Sequence, residues 1–384
     1  MALIRLFAWV CLLIFVWPEP ACSIPRYVKV RLFEARAGVP KLRLAGGIKI
    51  IEPVSRDIAF AGTDNKVEYT VEAEGGRVAL YAVPKGKKTK TLILRGSRLV
   101  MEESSSRGMR IVFPGRTACS YRGIVVMRSA TAGGRPSLDV LNEVPVREFV
   151  YGIVASELPG DFAVEAKKAL AVLTLTRLEF LPDQRAIGDS TKSELYTGCG
   201  RVAESDRVLV DSVFKQRLYY KNRLVLPYYH STCAGYTSSG DDLFLPDGDD
   251  LSYLKSVECK YCSGSPFYRD KVSLVDKKKV TALFGGALPV VQAKDIAGRP
   301  KTIQLGSGAL SCYQTWLKLG RGLGWSRVPG TRFAINSKKD RIELVSSGAG
   351  HGVGLCQWGA NGMAGLGKNY KEILEYYFPG SKIK

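Results

Sequence analysis

Histidine is almost absent from this chain: His230 and His351 are the only two in 384 residues. Any imidazole chemistry must therefore pass through one of two positions. Acidic residues are also scarce, 36 Asp and Glu against 56 Lys and Arg, a formal charge of +20. That excess points to an acidic partner, but the lysines fall in short scattered clusters, "KGKKTK" (85–90) and "DKKKV" (276–280), which read as solvated loops rather than a nucleic-acid footprint. No internal repeat or low-complexity tract occurs, which excludes tandem-repeat architectures. The apolar run Leu6–Trp17 is too short to span a bilayer comfortably and ends at Pro18 and Pro20.

What is present at the N-terminus reads as an export signal over residues 1–23. Arg5 supplies the positive start, and Ala21-Cys22-Ser23 offers small residues for cleavage before Ile24. The expectation is an exported chain on the periplasmic or cell-wall side of the membrane. A lipid-modified Cys22 is the alternative, with Glu19 where lipoprotein signals usually carry Leu. A retained anchor comes third. The mature protein then has no transmembrane domain.

Residues 24–120 read as β-rich. "YVKVRLF" (27–33) alternates apolar and basic residues. Three stretches place Gly-Gly between alternating runs, a hairpin signal: 41–51, 67–83 and 122–141. The clearest helix spans 161–180, with Phe162, Ala166, Ala169, Leu170, Leu173 and Phe180 at helical spacing. A last helix is expected over 369–380, closed by Pro379-Gly380. The fold class is α+β: a β-rich N-terminal lobe and a mixed α/β lobe, 121–380, meeting at a cleft.

Three groupings could carry chemistry. Glu157, in "ASELPGDF", precedes the long helix, where the helix N-terminus would favour its ionised form. A structural helix-start acid is one reading. A proton donor is the other, and it needs desolvation by Ile153, Val154, Leu158 and Phe162 to overcome the dipole. His230 and Cys233 stand as H-x-x-C, and Cys259 and Cys262 as C-x-x-C. Together they make a His/Cys₃ set suited to structural Zn²⁺, while a disulfide or free thiols fit the same residues. Cys119, Cys199, Cys312 and Cys356 have no such grouping. Finally, "GAGHGVGLCQWGANG" (348–362) alternates glycines but lacks the Lys-Ser or Lys-Thr of a phosphate loop. It reads as a side-chain-poor wall exposing His351 to a ligand, with Gln357, Trp358 and Asn361 just beyond.

In this order, four segments resemble the stage II sporulation protein D (SpoIID) family, which includes amidase enhancers: "LNEVPVREFVYGIVASELPGDFAVEAKKALAV", "DSTKSELYTG", "YYHSTCAGYTSS" and "GAGHGVGLCQWGANGMAGLGKNYKEILEYYFPG". The likeness covers roughly residues 120–380. It implies a peptidoglycan lytic transglycosylase that cuts between N-acetylmuramic acid and N-acetylglucosamine, leaving a 1,6-anhydro end, in septal or other wall remodelling. It implies Glu157 as the catalytic residue; on that basis His351 and Gln357 are expected to hold sugar groups, with Gly352, Trp358, Thr232 and Tyr236 placed with them as substrate-binding. Zinc ligation in some members matches His230 and Cys233; Cys259 and Cys262 complete the set by inference from spacing. The chain departs from the family where Gln and Arg are usual, carrying Leu170 and Leu175, with Arg177 at a usual Tyr. A non-catalytic glycan-binding or amidase-enhancing protein is the rival reading, and a peptidoglycan amidase a candidate partner.

Overall fold

The computed structural model describes residues 24–384 apart from 34–38, 53–54, 64–65, 104–106, 116, 182–185, 191–194 and 244–250. The export signal expected over 1–23 lies outside the described residues. Among the described residues no helix is long and apolar enough to cross a membrane.

Alternation of apolar and polar residues builds the N-terminal sheets. In Tyr27–Leu32, Val28, Val30 and Leu32 are buried while their neighbours face outward, as a strand covered on one face requires. That strand joins a seven-stranded sheet with Ile187–Gly188 at one edge, followed by Tyr27–Leu32, Arg135–Pro145, Ile124–Ala132, Arg98–Glu102, Ile48–Ile51 and Ile58–Gly62. A six-stranded sheet contains Lys41–Ala45, Val67–Glu74 and Arg77–Pro84. The boundary drawn at 120/121 thus cuts through the first sheet, because strands 124–132 and 135–145 pair with strands on its other side. The change from strand to helix falls at Pro145/Val146.

Two of the three Gly-Gly signals are hairpins. Gly75-Gly76 and Gly133-Gly134 all adopt positive φ and close pairs at Glu74↔Arg77 and Ala132↔Arg135. Gly46-Gly47 is a correction: its flanking strands belong to different sheets, so the pair marks a crossover. Gly46 has φ +83° there, and Gly47 is not among the positive-φ residues, whereas the common two-residue hairpin turn needs both.

The fold is mixed α+β. The helices are α1 (Val146–Glu157), α2 (Val164–Leu178), α3 (Glu204–Val213), α4 (Gly240–Leu243), α5 (Lys277–Ala282), α6 (Cys312–Leu323), α7 (Gln357–Gly365) and α8 (Tyr370–Tyr377). The long helix expected over 161–180 is α2, shorter by a few residues at each end, with Phe180 beyond it and exposed. It packs against α1, α3, α7 and α8, so it is buried nearly all round rather than along one stripe. Even Lys167 is buried, its ammonium held 3.0 Å from both Asp206 Oδ1 and the Gly160 carbonyl. Asn369 caps α8 in a reciprocal pair with Glu372, and Ile373, Leu374, Tyr377 and Phe378 are fully buried along one side of it. Around α2, the end of α1 and the start of α7 come together.

Candidate active site

Helix α1 stops because Leu158 turns extended (φ −112°, ψ 141°) ahead of Pro159, which disfavours a helical residue before it. Glu157 is therefore the last residue of α1, not an acid at the start of the next helix. The position reverses the electrostatic expectation: the C-terminal end of a helix dipole is negative and disfavours a carboxylate. Burial pushes the Glu157 carboxyl above its ordinary range, and three donors oppose the shift. The Leu195 N–H (2.8 Å) and the Tyr229 hydroxyl (3.2 Å) donate to Oε1, and the Gln357 amide reaches Oε2 at 3.4 Å. Desolvation wins, so the acid holds its proton to higher pH than a free glutamate.

Glu157 opens on a cavity of about 420 Å³, within the span of small-molecule sites. His230, His351 and Gln357 share its wall, so the acid and the glycine-rich loop do meet at one cavity. Leu175, where the resemblance would place an arginine, is fully buried among core residues. Arg177, two residues on and about 200° further round α2, lines the cavity instead and donates to the Pro227 carbonyl at 3.3 Å.

The glycine loop is turned inward. Tyr229–His230 and Leu355–Cys356 form a parallel pair, so the loop lies along the protein's own 228–233 segment. A Cβ at Gly348 would come within 2.7 Å of the Thr232 carbonyl oxygen, and one at Gly354 would strike that of Tyr228. At Gly352, whose φ is +85°, it would meet the Arg299 guanidinium at 2.6 Å. These bare positions admit neighbouring protein rather than a ligand. Arg299 is buried and donates to the carbonyls of Cys233 and Tyr236 and to Thr331 Oγ1, fastening the 233–236 turn beside the loop.

His351 is similarly engaged. Its Nδ1 accepts from the Val353 N–H at 3.2 Å, and it hydrogen-bonds the Tyr229 backbone. Burial holds its pKa down at about 4, so the ring is neutral at physiological pH. His230 packs against it edge-on, centroids 5.7 Å apart. Gln357, the first residue of α7, reaches both the cavity and Glu157. Thr232, Tyr236, Gly352 and Trp358 stand away from the cavity wall: Thr232 Oγ1 bonds Ser265 Oγ at 2.6 Å, and Trp358 packs on Phe162 with centroids 5.1 Å apart. Asn361 accepts from the Ala163 N–H ahead of α2.

The thiol group also needs correction. Cys233, Cys259 and Cys262 gather with Cys356, all four sulfurs within 4.8 Å of one another, and His230 stands outside the set. The reason is the loop: the Val353 carbonyl accepts from His230 Nδ1 at 3.0 Å, while the strand pairing carries Cys356 to the thiols. The donor set fits a tetrahedral thiophilic ion. Zinc–sulfur bonds of about 2.3 Å separate two ligand sulfurs by about 3.8 Å; Cys233 and Cys262 lie 3.6 Å apart, well beyond a disulfide's length of about 2.05 Å. The Cys233 and Gly359 N–H groups both donate to Cys356 Sγ, at 3.4 and 3.3 Å, and would help to hold a metal-bound thiolate there. Its sulfur is thus also the cap of α7. A bound Zn²⁺ would supply a structural cross-link between the 233 turn, the 259–262 turn and α7.

Sequence reasoning noted Arg177 only as a departure from the family and missed the roles of Tyr229, Arg299 and Cys356, and the cavity wall contributed by α6. Only Cys356 carried a signal, a cysteine inside the glycine-rich loop and directly before Gln357.

Comparison with known proteins adds an independent line. Residues 135–220, which include Glu157, match the family model for stage II sporulation protein, SpoIID. An uncharacterised protein of Brachyspira hyodysenteriae is 28% identical over 257 residues, 64% of this chain and 68% of that protein. Stage II sporulation protein D of Bacillus subtilis is 27% identical over 268 residues, 63% and 75% of the two chains. An amidase enhancer of Bacillus subtilis is 21% identical over 281 residues, 60% of this chain and 40% of the enhancer.

Proposed function

We propose that this chain, which carries a SpoIID domain and is related to stage II sporulation protein D, is an exported lytic transglycosylase of peptidoglycan. One observation supports the reading most: Glu157 is the only carboxylate lining the cavity among the described residues. A hydrolysing glycosidase sets two carboxylates about the scissile bond, roughly 5 to 9.5 Å apart. A transglycosylase needs one, because the muramoyl 6-hydroxyl is its own nucleophile.

In this mechanism protonated Glu157 gives its proton to the bridging oxygen as the bond from C1 breaks, and the N-acetylglucosamine leaves as an alcohol. The carboxylate formed is stabilised by the donors already aimed at it: Leu195 N–H, Tyr229 O–H and the Gln357 amide. It then accepts the proton of the 6-hydroxyl as that oxygen attacks C1 and closes the anhydro ring. Intramolecular attack carries a large effective concentration, which substitutes for a second protein group. Zn²⁺ on the four thiols would hold α7, and hence Gln357, in register with the acid. The excess positive charge suits a polyanionic wall at the outer side of the membrane.

The amidase-enhancer relative supports a second reading, glycan binding without cleavage in company with a peptidoglycan amidase. Mass spectrometry of products from purified glycan strands, with and without stem peptides, separates the two. Anhydromuramoyl ends made by the wild type and lost in Glu157→Gln are the expected result. Binding without products from either protein would replace the enzyme with the enhancer.

A further inference from the structure

The cavity wall formed by α6 and the turn after it is rich in aromatic residues: Trp316 belongs to the core and Tyr313 packs against it, whereas Trp325 lies outside the core. Tyr313, Trp316, Arg321 and Trp325 line the cavity that Glu157 lines. The Trp316 indole N–H donates to the Val328 carbonyl at 3.0 Å, which pins that ring in place. Trp325 lies against it, centroids 4.9 Å apart at 60°, and Tyr313 follows with its centroid 5.8 Å from Trp316. Gly320 explains how Trp325 is seated: a Cβ there would run into the indole, so the ring rests on bare helix backbone. Its other side is open, leaving Trp325 44% exposed at the cavity, whereas Trp316 beside it is buried. The side chain of Arg321, the next residue after Gly320, makes no hydrogen bond or ion pair among the described residues.

We propose that Trp325, seated on Gly320 and backed by Trp316, is a stacking platform for an N-acetylated pyranose of the glycan, with Arg321 donating to that sugar's acetamido carbonyl. The assignment of the ligand as glycan rests on the reading of Glu157 given above. One face of a pyranose presents axial C–H groups, which pack on an aromatic face, while its rim carries the polar substituents. A pinned tryptophan, an open ring beside it and a donor with no internal partner match those two requirements. Recognition then comes from α6, which lies beyond residues 135–220, and not from the engaged His351 ring.

The test is calorimetric binding of the N-acetylglucosamine tetramer to full-length Glu157→Gln protein, which removes turnover. Trp325→Ala should weaken binding about tenfold or more, in keeping with the usual worth of an aromatic stacking contact. Trp325→Phe should recover most of that loss. Gly320→Ala, which keeps the tryptophan but displaces it, should also weaken binding, and Arg321→Gln should do so by a smaller factor. With Glu157 restored, the losses should appear in KM on glycan strands before kcat. Unchanged affinity in both Trp325→Ala and Gly320→Ala overturns the platform, as does a parent that does not bind the tetramer. Trp325-dependent binding without anhydro products would uphold the platform and sink the transglycosylase. Anhydro products with KM and affinity indifferent to Trp325 would do the reverse.

Discussion

Glu157 and Cys356 both lie at the paired segments 228–233 and 350–357, one beside Tyr229 and Gln357 and the other beside Cys233. Burial disfavours a lone negative charge at both, so what differs is how that charge is met. Around Glu157, burial and the end of α1 disfavour the carboxylate, and three donors recover only part of the loss. Around Cys356, two backbone N–H groups point at one sulfur and three more thiols crowd beside it, an arrangement that suits thiolates neutralised by a cation. The first environment makes a proton donor and the second makes a cross-link. A side chain's chemistry here follows from which donors the backbone can spare for it, and the same strand pair distributes them to both.

That contrast can be broken at either end. The largest effect is expected at the acid: Glu157→Gln should lower turnover on glycan strands about 10³-fold, within the range removed with a general acid, with the fold intact by circular dichroism. At the thiol end, Cys356→Ala removes a sulfur and the cap of α7 together. It should destabilise the chain by about 3 kcal/mol, as loss of a metal ligand and a helix cap would, and lower the bound zinc measured by elemental analysis. A stoichiometry unchanged by the substitution would exclude Cys356 from the site.

Gln357 joins the two ends, so Gln357→Ala sharpens the comparison. Its amide is one of the donors that lower the Glu157 pKa. Without it the acid should hold its proton to still higher pH, moving the alkaline fall of the rate profile upward, while turnover drops about tenfold. The smallest effect concerns stability. A carboxyl whose folded pKa is raised contributes stability that is fully present below its unfolded pKa of about 4.3 and is lost as pH rises through the folded value. Glu157→Gln, permanently neutral, should therefore exceed the wild type in stability at neutral pH by about 1 kcal/mol. Differential scanning calorimetry should show that advantage shrinking as pH falls towards 4, and an equal gain at every pH would contradict the raised pKa.

Much of the scaffold was legible in the chain. Strand Tyr27–Leu32, the hairpins at Gly75-Gly76 and Gly133-Gly134, α2 and α8 all follow local rules of alternation, turn conformation and capping. The Gly46-Gly47 crossover was not legible, because a glycine pair states what the backbone can do and not which strand lies across from it. The sequence pointed to Glu157 and Gln357, which the fold brings to one cavity, and was misleading at His230. Spacing such as H-x-x-C suggests ligands on one turn, but loop 348–356 supplied His230 with a carbonyl and the thiols with a fourth sulfur.

The sequence by itself determined the α+β elements, the segment that carries the acid, and three of the four clustered cysteines, since each depends on neighbours within a few residues. Tertiary structure decided the rest: that Glu157 ends a helix and is desolvated, that Cys356 and not His230 joins the thiols, and that Trp325 faces Glu157's cavity. Those outcomes depend on contacts between residues up to about two hundred positions apart, such as Glu157 with Gln357. Burial, which sets both charge and reactivity here, exists only once such contacts have formed.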